Sequence, residues 1–332
     1  MKPILSIKDL TVSFPKLFNT ITAVRGLDLD LYAGQITGLV GESGSGKSMT
    51  AAAAMGLITN QAEVTGNIHW QDKTWAAADM AKAGRQIRGA GCAMIFQNPL
   101  TALNPFFSVG QQIFYVARQH RSMTTIEIEK EVKQCLAQVH LPQPEKLYTK
   151  YPHELSGGQI QRVVIAMALI CQPRVLIADE PTTALDVTVQ SQILALVREL
   201  TDEKQLSVLL ITHDLSVVAT VCDQVSVMYA GQIVEQGDVR QVIKFPVHPY
   251  TQKLLATVPE IGNSTILEHI PGQVPDLGKP VVGCAFKDRC EKRTERCLQT
   301  PTLVEAEMGH QYRCFHPELD NLNHNVREET MV

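Results

Sequence analysis

Polar and apolar residues alternate along residues 4–14, and a second alternating set covers residues 23–31. A period of two is typical of strands that bury one face, so both segments are predicted to be strands. Mostly apolar runs without alternation follow at residues 36–40, 93–96, 174–180 and 208–212. Such runs are typical of strands buried on both faces, as in parallel sheets.

Apolar residues recur at helical spacing from residue 109 to about residue 141, and again over residues 160–168. The Ala-rich segment at residues 49–55 also favours a helix. Strands that alternate with helices along one chain are typical of the α/β class. The pattern therefore predicts an α/β protein with a mainly parallel sheet.

The chain has 332 residues, 45% of them apolar, and a formal net charge of −4. Because a domain usually takes roughly 100–200 residues, this length suits one α/β domain with an appendage. The negative charge argues against a general nucleic-acid binder, which needs Lys and Arg to neutralise phosphates. Neither a secretory leader nor an apolar run of about 20 residues is recognised, so the chain is expected in the cytoplasm.

The glycine loop, residues 41–48, reads Gly-Glu-Ser-Gly-Ser-Gly-Lys-Ser between a predicted strand and a predicted helix. It matches the phosphate-binding pattern G-x-x-x-x-G-K-[ST], in which backbone N–H groups and the positive end of the helix surround a polyphosphate. Lys47 is expected to reach the terminal phosphates, and the Ser48 hydroxyl to hold Mg²⁺. The predicted nucleotide contacts are Gly41, Ser43, Gly44, Ser45, Gly46, Lys47, Ser48 and Met49.

Polar side chains follow three of the predicted buried strands. Gln97 follows one strand, Asp179 and Glu180 end another, and His213 follows a third. Asp179 is placed to hold Mg²⁺ and Glu180 to orient or deprotonate a water molecule. The alternatives are a solvated loop residue for Gln97, a helix cap for the acidic pair and a structural role for His213.

The signature segment, residues 155–159, reads Leu155-Ser156-Gly157-Gly158-Gln159 and opens the helix predicted over residues 160–168. Two glycines at a helix start leave bare N–H groups at the positive end of the dipole, which makes a second anion site. One γ-phosphate does not need two such sites from one chain. Near the amino terminus, Phe14 ends a strand, where its ring either stacks on an adenine or packs in the core.

These motifs stand in the order found in ATP-binding-cassette (ABC) ATPases, and the resemblance covers roughly residues 1–240. It implies a P-loop NTPase of the ABC type, with a RecA-like parallel-sheet core, an antiparallel β subdomain and a helical subdomain at about residues 99–170. It also implies a head-to-tail dimer, in which ATP lies between the glycine loop of one subunit and the signature segment of the other. This arrangement explains why one chain carries two anion sites.

The resemblance also implies individual roles. Phe14 resembles the adenine-stacking aromatic residue, and Gln97 resembles the residue that links Mg²⁺ to the transporter contact. Glu180 resembles the catalytic base, and His213 the γ-phosphate sensor. By the same resemblance, the dimer contact is formed by Ala184, Leu185 and Asp186, and the Mg²⁺ ligands are Ser48, Gln97 and Asp179.

The C-terminal extension, residues 241–332, contains His248-Pro249-Tyr250 and a cysteine-rich segment. Together they resemble the extension of dipeptide and oligopeptide importer ATPases. The resemblance implies ATP-driven peptide uptake through two membrane permease subunits and an extracytoplasmic solute-binding protein. It further implies a second, similar but non-identical ATPase subunit and a peripheral position on the cytoplasmic face of the inner membrane.

The cysteine group consists of four residues in the last fifth of the chain: Cys284, Cys290, Cys297 and Cys314. Their wide spacing leaves free thiols, Zn²⁺ and a [4Fe–4S] cluster equally open. The family resemblance favours the iron–sulfur cluster. Nearby cations are expected to lower the pKa values of these thiols: Lys287, Arg289, Lys292, Arg293, Arg296 and Arg313.

Other functions remain open at this stage. An importer ATPase could serve a different solute, such as a metal chelate or an oligosaccharide. A soluble ABC ATPase that acts on ribosomes or DNA usually has two cassettes or a long coiled-coil insertion, and neither is recognised here. An iron–sulfur redox enzyme would need an electron-transfer site that the sequence does not indicate.

Overall fold

The computed structural model describes residues 2–59, 61–183, 185–257, 270–306 and 309–319. The strands are β1 Leu5–Pro15, β2 Thr20–Leu31, β3 Ile36–Val40, β4 Glu63–Trp70, β5 Lys73–Ala76, β6 Cys92–Ile95, β7 Val175–Asp179, β8 Ser207–Thr212, β9 Gln224–Tyr229, β10 Gln232–Asp238, β11 Val304–Glu305 and β12 Gln311–Tyr312. The helices are α1 Lys47–Ala54, α2 Met80–Ala83, α3 Pro99–Ala102, α4 Val109–His120, α5 Thr125–Gln138, α6 Pro144–Thr149, α7 Gly157–Leu169, α8 Val187–Lys204, α9 Leu215–Val221, α10 Val239–Lys244 and α11 Pro249–Ala256.

The chain divides into two compact units. The first comprises Met1–Leu5, Leu31–Ile36 and Ala81–Ile211, and the second comprises Ser6–Asp30, Thr37–Met80 and Thr212–Val332. Both units are assembled from segments distant in sequence. The predicted boundary at residue 240 stays a prediction.

In the first unit, strands β6, β7 and β8 pair in parallel, with Ile95 opposite Ala178 and Asp179 opposite Ile211. Every residue of β7 and β8 is buried, as the runs without alternation predicted. The strand β6 ends at Ile95, one residue earlier than predicted, and the side chain of Phe96 is 50% exposed. The carboxyl ends of these strands carry the candidate catalytic side chains.

The segment from residue 109 to about residue 141, predicted to be helical, forms two helices, α4 and α5. The break is at Thr124, whose side chain accepts a hydrogen bond from the Glu127 N–H while the Glu127 carboxylate accepts one from the Thr124 N–H. This capping box starts a new helix. The helices α4, α5 and α7 pack together through buried residues that include Ile113, Val132 and Val163.

The second unit contains a sheet of order β2-β1-β4-β5 and the strand series β11-β12-β10-β9-β3. In that series β3 and β9 are parallel, whereas β10 is antiparallel to both β9 and β12. Because Tyr312 pairs with Glu235, the C-terminal extension adds two short strands to the sheet that contains β3. Across the described ranges, no helix is both long and apolar enough to cross a membrane.

Candidate functional site

The glycine loop lies in the second unit, between the end of β3 and the start of α1. Gly41 has φ +152° and Gly46 has φ +105°, a region that glycine adopts readily and other residues rarely do. A Cβ atom at Gly41 would lie 2.0 Å from the carbonyl oxygen of Met228, and one at Gly46 would lie 2.4 Å from that of Ala23. Both positions therefore require glycine, which agrees with the predicted phosphate-binding turn.

Lys47 begins α1, and its side chain is buried beneath the glycine loop. Its Nζ donates hydrogen bonds to the carbonyl oxygens of Gly41 at 2.7 Å and Glu42 at 2.9 Å. These contacts hold the ammonium group inside the turn. The loop thus combines one fixed positive charge with the N–H groups of a helix start, which is the chemistry that a polyphosphate requires.

The candidate general base lies in the first unit, where Glu180 directly follows β7. Its carboxylate accepts hydrogen bonds from the side-chain amide of Gln97 at 2.8 Å and from the Thr183 hydroxyl at 3.0 Å. Its backbone N–H donates to the carbonyl oxygen of Ile211 at 2.9 Å. The structure therefore brings together two predicted residues, Gln97 and Glu180, and adds Thr183, which the sequence analysis missed.

Glu180 has φ +46°, a left-handed conformation that costs a residue other than glycine roughly 1–2 kcal/mol. The surrounding hydrogen bonds offset this strain. Neighbouring Asp179 is the last residue of β7 and is buried. The helix-cap alternative for the acidic pair is wrong, because α8 is capped by Asp186, which accepts from the Val189 N–H at 2.9 Å.

The signature segment forms the start of α7, as predicted. Ser156 caps this helix by accepting from the Gln159 N–H at 3.4 Å, and the Gln159 side chain accepts from the Ser156 N–H at 3.1 Å. Ser156 and Gly157 are exposed, and Leu155 is half-buried. A Cβ atom at Gly158 would lie 2.8 Å from Val189, so α7 approaches α8 closely at that glycine.

The remaining predicted site residues lie where the sequence placed them along the chain. His213 follows β8 and is exposed, next to Asp214, which caps α9 by accepting from the Ser216 N–H at 2.8 Å. Phe14 is the penultimate residue of β1 and is half-buried. Leu185 is also half-buried, whereas Ala184 lies outside the described residues. The functional roles of these residues stay predictions.

Two residues of the C-terminal extension contact the glycine loop, which the sequence analysis did not predict. The Tyr250 hydroxyl accepts a hydrogen bond from the Glu42 N–H at 3.0 Å. The Arg289 guanidinium donates to both carboxylate oxygens of Glu42, at 2.8 and 3.1 Å. Tyr250 belongs to the His-Pro-Tyr motif that the sequence shows, but no local pattern indicates which residue Tyr250 contacts.

Within the cysteine group, the Cys284 N–H donates to the Cys297 carbonyl oxygen at 2.9 Å. Burial, and to a smaller degree the charges of the other three thiols, raises the pKa of Cys314 to about 11, even though the His316 N–H donates to its Sγ at 3.3 Å. Burial likewise raises the pKa values of Cys284 and Cys290. The expectation of lowered thiol pKa values is therefore wrong.

The physical reason is that burial of the thiols outweighs the lowering effect of nearby charges such as Lys292 on Cys290. Most of the nearby cations also have other partners. Arg289 pairs with Glu42, Lys292 with Glu318, and Arg293 with Asp288, while Arg313 donates to backbone carbonyl groups and Arg296 lies over the Phe315 ring. Over the described part of the chain, no three or more His, Cys, Asp or Glu side chains form a group that could hold a metal ion. The predicted iron–sulfur cluster, its zinc alternative and the assigned Mg²⁺ ligands therefore stay predictions.

Comparison with known proteins places these features in a family. Residues 24–183 match the family described as ABC transporter, and residues 234–297 match the oligopeptide/dipeptide transporter C-terminal region. The oligopeptide transport ATP-binding protein OppD of Haemophilus influenzae is 44% identical over 95% of this chain and 98% of its own length. The dipeptide transport ATP-binding protein DppD of Bacillus subtilis is 48% identical over 90% of this chain and 89% of its own length.

Two solved structures confirm the ABC fold. One is an ATP-binding cassette dimer in a post-hydrolysis state bound to ADP and Pi, with a TM-score of 0.62 and 25% identity over 71% of this chain and 99% of that one. The other is cbiO1 from Clostridium perfringens, part of an ABC transporter complex, with a TM-score of 0.62 and 30% identity over 73% of this chain and 91% of that one. On this evidence, the chain belongs to the ABC transporter family, as an ATP-binding and ATP-hydrolysing subunit with an oligopeptide/dipeptide transporter C-terminal region.

Proposed function

We propose that this chain is the ATPase subunit of an importer that couples ATP hydrolysis to the uptake of dipeptides or oligopeptides. The observation that carries the proposal is the match of residues 234–297 to the oligopeptide/dipeptide transporter C-terminal region. Relatives that match over most of the chain are named as oligopeptide or dipeptide transport ATP-binding proteins. These names favour peptides over a metal chelate or an oligosaccharide.

In this proposal the glycine loop binds the phosphates of ATP, and Lys47 shifts its hydrogen bonds from loop carbonyl groups to the terminal phosphates. Ser48, Gln97 and Asp179 supply the hydroxyl, amide and carboxylate oxygens that Mg²⁺ prefers. Bound Mg²⁺ neutralises the charge that develops on the transferred phosphoryl group. Phe14 stacks on the adenine, and His213 contacts the γ-phosphate.

Glu180 is the proposed general base. The amide of Gln97 and the hydroxyl of Thr183 both donate to its carboxylate, which limits the orientations it can adopt. A carboxylate held in this way is suited to accept a proton from an attacking water, because general-base catalysis depends first on geometry. In this proposal Gln97 also links the nucleotide site to the surface that contacts the transporter.

The proposed working form is a head-to-tail dimer with a similar but non-identical ATPase subunit. The exposed N-terminus of α7 at Ser156 and Gly157 supports this form, because the positive end of the helix dipole is accessible there to a phosphate of the other subunit. Residues 184–186 are proposed to contact the partner. We expect the isolated chain to be largely monomeric and a poor ATPase, so full activity from a strictly monomeric sample would contradict the dimer.

Two permease subunits and an extracytoplasmic solute-binding protein complete the proposed importer, with this chain on the cytoplasmic face of the cell membrane. Apolar side chains on the first unit support a permease contact, since they follow Gln97 closely in sequence and are exposed: Leu100, Phe106, Phe107 and Tyr115. Exposed apolar clusters commonly mark protein interfaces. The rings of Phe107 and Tyr115 lie edge to face at 6.0 Å.

We also propose that the cysteine group binds a [4Fe–4S] cluster that stabilises the C-terminal extension, residues 241–332. Two contacts support this: the Cys284 N–H donates to the Cys297 carbonyl oxygen at 2.9 Å, and the His316 N–H donates to Cys314 Sγ at 3.3 Å. Such a cluster links the ends of several short loop segments. Zn²⁺ is the alternative metal.

Membrane fractionation tests the transport proposal. The chain is co-expressed with the permease and binding-protein genes that neighbour its own, and membrane vesicles are assayed for ATP-dependent uptake of labelled dipeptides. We expect the chain to sediment with the permeases, and the Lys47→Ala variant to sediment equally but to abolish uptake. A chain that stays in the supernatant with its permeases present would favour a non-transport ABC ATPase. Uptake of an oligosaccharide or metal chelate instead of peptides would contradict the substrate class.

A further inference from the structure

An acidic residue, Glu42, occupies the second position of the glycine loop, where the phosphates of a nucleotide bind. An unpaired carboxylate there would repel phosphate, because like charges interact over roughly 10 Å at a protein surface. The structure pairs this carboxylate instead. Its partner is Arg289, which is 247 residues away in sequence and directly precedes Cys290.

Arg289 holds Glu42 with two hydrogen bonds in a bidentate geometry, at 2.8 and 3.1 Å. The guanidinium also donates to the Tyr229 hydroxyl at 3.3 Å and to the carbonyl oxygens of Ile270 and Pro271 at 3.1 and 3.0 Å. Its side chain is 5% exposed. Bidentate charge-assisted hydrogen bonds away from water are both strong and directional. Arg289 is therefore fixed in place by three separate segments.

An arginine guanidinium is not deprotonated in proteins, so Arg289 brings a full positive charge to its pair with Glu42.

Tyr250 holds the backbone of the same residue, since its hydroxyl accepts from the Glu42 N–H. The Tyr250 ring is fully buried and packs on Tyr229 at 4.6 Å and on Phe286 at 5.4 Å between ring centroids. Phe286 and Arg289 both lie between Cys284 and Cys290. The cysteine-rich segment and the His-Pro-Tyr motif thus converge on one residue of the glycine loop.

We propose that Arg289 is a positioning residue for nucleotide binding: it neutralises Glu42 and, together with Tyr250, holds the glycine loop in the conformation that receives the phosphates. The C-terminal extension thereby sets the affinity of the chain for ATP. This inference rests on the proposed nucleotide site. Loss of the arginine leaves a negative charge beside the phosphates, so affinity for MgATP falls, whereas simultaneous removal of the Glu42 charge restores much of it.

The test uses the full chain and four variants: Arg289→Gln, the double variant Arg289→Gln with Glu42→Gln, Arg293→Gln and Lys47→Ala. Arg293 is the matched control, because it lies in the same segment and pairs with Asp288 at 2.8 Å on the exposed surface. Affinity for MgATP is measured by titration, and circular dichroism verifies folding. We expect Arg289→Gln to bind MgATP about tenfold more weakly than Arg293→Gln, because the unpaired Glu42 carboxylate then repels the phosphates through a medium of intermediate dielectric constant. The double variant should recover most of that loss.

Two results would overturn the inference: a folded Arg289→Gln variant that binds MgATP as tightly as Arg293→Gln, or a double variant as weak as the single one, which indicates a purely structural role. Should Arg289→Gln fail to fold, Arg289→Lys takes its place. Lysine keeps the charge without the bidentate geometry, so a loss of roughly threefold is expected, and no loss would overturn the inference. Unchanged binding in Lys47→Ala would instead refute the nucleotide site itself.

Discussion

The side-chain amide of Gln97 donates a hydrogen bond to the Glu180 carboxylate over 2.8 Å, although 83 residues separate the two in sequence. Parallel register explains the contact. Ile95 on β6 lies opposite Ala178 on β7, so the residues two positions further along each strand emerge side by side. The position of the proposed base is thus set by the pairing of two buried strands.

Glu180→Gln is expected to keep ATP binding and to lose hydrolysis by about 10²-fold or more, the contribution of a general base. The amide retains the shape and one acceptor for Gln97 and Thr183 but cannot take up a proton. Steady-state ATPase assays with a partner cassette present, alongside nucleotide titrations, measure both effects. Glu199→Gln is the control, because that carboxylate is exposed and pairs with His140 at 3.2 Å, away from the candidate site. Near-normal turnover of Glu180→Gln would refute the assignment.

Lys47→Ala is expected to weaken nucleotide binding at least tenfold, since a hydrogen bond to a charged group contributes about 1.5–3 kcal/mol. The buried ammonium group is the positive charge that the glycine loop holds at its centre. Lys146→Ala, an exposed lysine on α6, serves as control. Equal dissociation constants for the two variants would contradict the proposed phosphate site.

Replacement by alanine is expected to destabilise the protein more at one glycine of the signature segment than at the other. A Cβ atom at Gly158 would meet Val189 at 2.8 Å, whereas one at Gly157 would have its nearest neighbour, Leu185, at 3.6 Å. Both lie in the first turn of α7, so the gain in helix propensity on changing to Ala is similar. We therefore expect Gly158→Ala to be less stable than Gly157→Ala by about 1–3 kcal/mol, the usual cost of overpacking. Urea unfolding measures the difference, and coincident midpoints would disprove it.

His248 is expected to make stability depend on pH. Burial lowers its pKa from 6.5 to about 4. Above pH 6.5 both states are neutral at this residue, and as the pH falls towards 4 the unfolded chain takes up a proton that the folded chain does not. Stability contributed by His248 is therefore lost between pH 6.5 and 4, by up to roughly 3 kcal/mol.

His248→Asn tests this dependence, because Asn keeps an acceptor for the Tyr250 N–H at the start of α11 but does not titrate. Unfolding free energies at several pH values should vary less for this variant than for the unmodified chain. The exposed residue His140 supplies the control variant His140→Asn. If the unfolding free energy of His248→Asn varies with pH as strongly as that of the unmodified chain, groups other than His248 cause the pH dependence.

The cysteine group is expected to yield a brown protein with about four irons per chain when purified without oxygen. Cys297→Ser should bleach the cluster and leave the nucleotide site folded, whereas Cys171→Ser, a buried cysteine outside the group, should retain it. Because burial raises the pKa of Cys314 to about 11, metal uptake must displace protons and should weaken as the pH falls. Stoichiometric zinc without iron in this preparation would show that the cysteine group binds Zn²⁺ and not an iron–sulfur cluster.

Local patterns in the sequence determined much of this protein. Alternation and continuous apolar runs predicted the strands, and the G-x-x-x-x-G-K-S pattern located a turn in which Gly41 and Gly46 have no room for a Cβ atom. The signature segment was predicted to open a helix, and it does so through the Ser156 capping box. These features depend on residues that are close in sequence, within one turn or one strand, so a local sequence pattern predicts them.

Tertiary structure alone decided which distant groups meet. The sequence assigned Arg289 to the cysteine thiols, yet packing places it against Glu42, and Thr183 joins Glu180 because the backbone turns sharply at φ +46°. Thiol pKa values follow burial rather than the positive charges nearby in the chain. Strand register and burial are properties of the whole assembled unit, so they determine these contacts and charges where spacing along the chain does not.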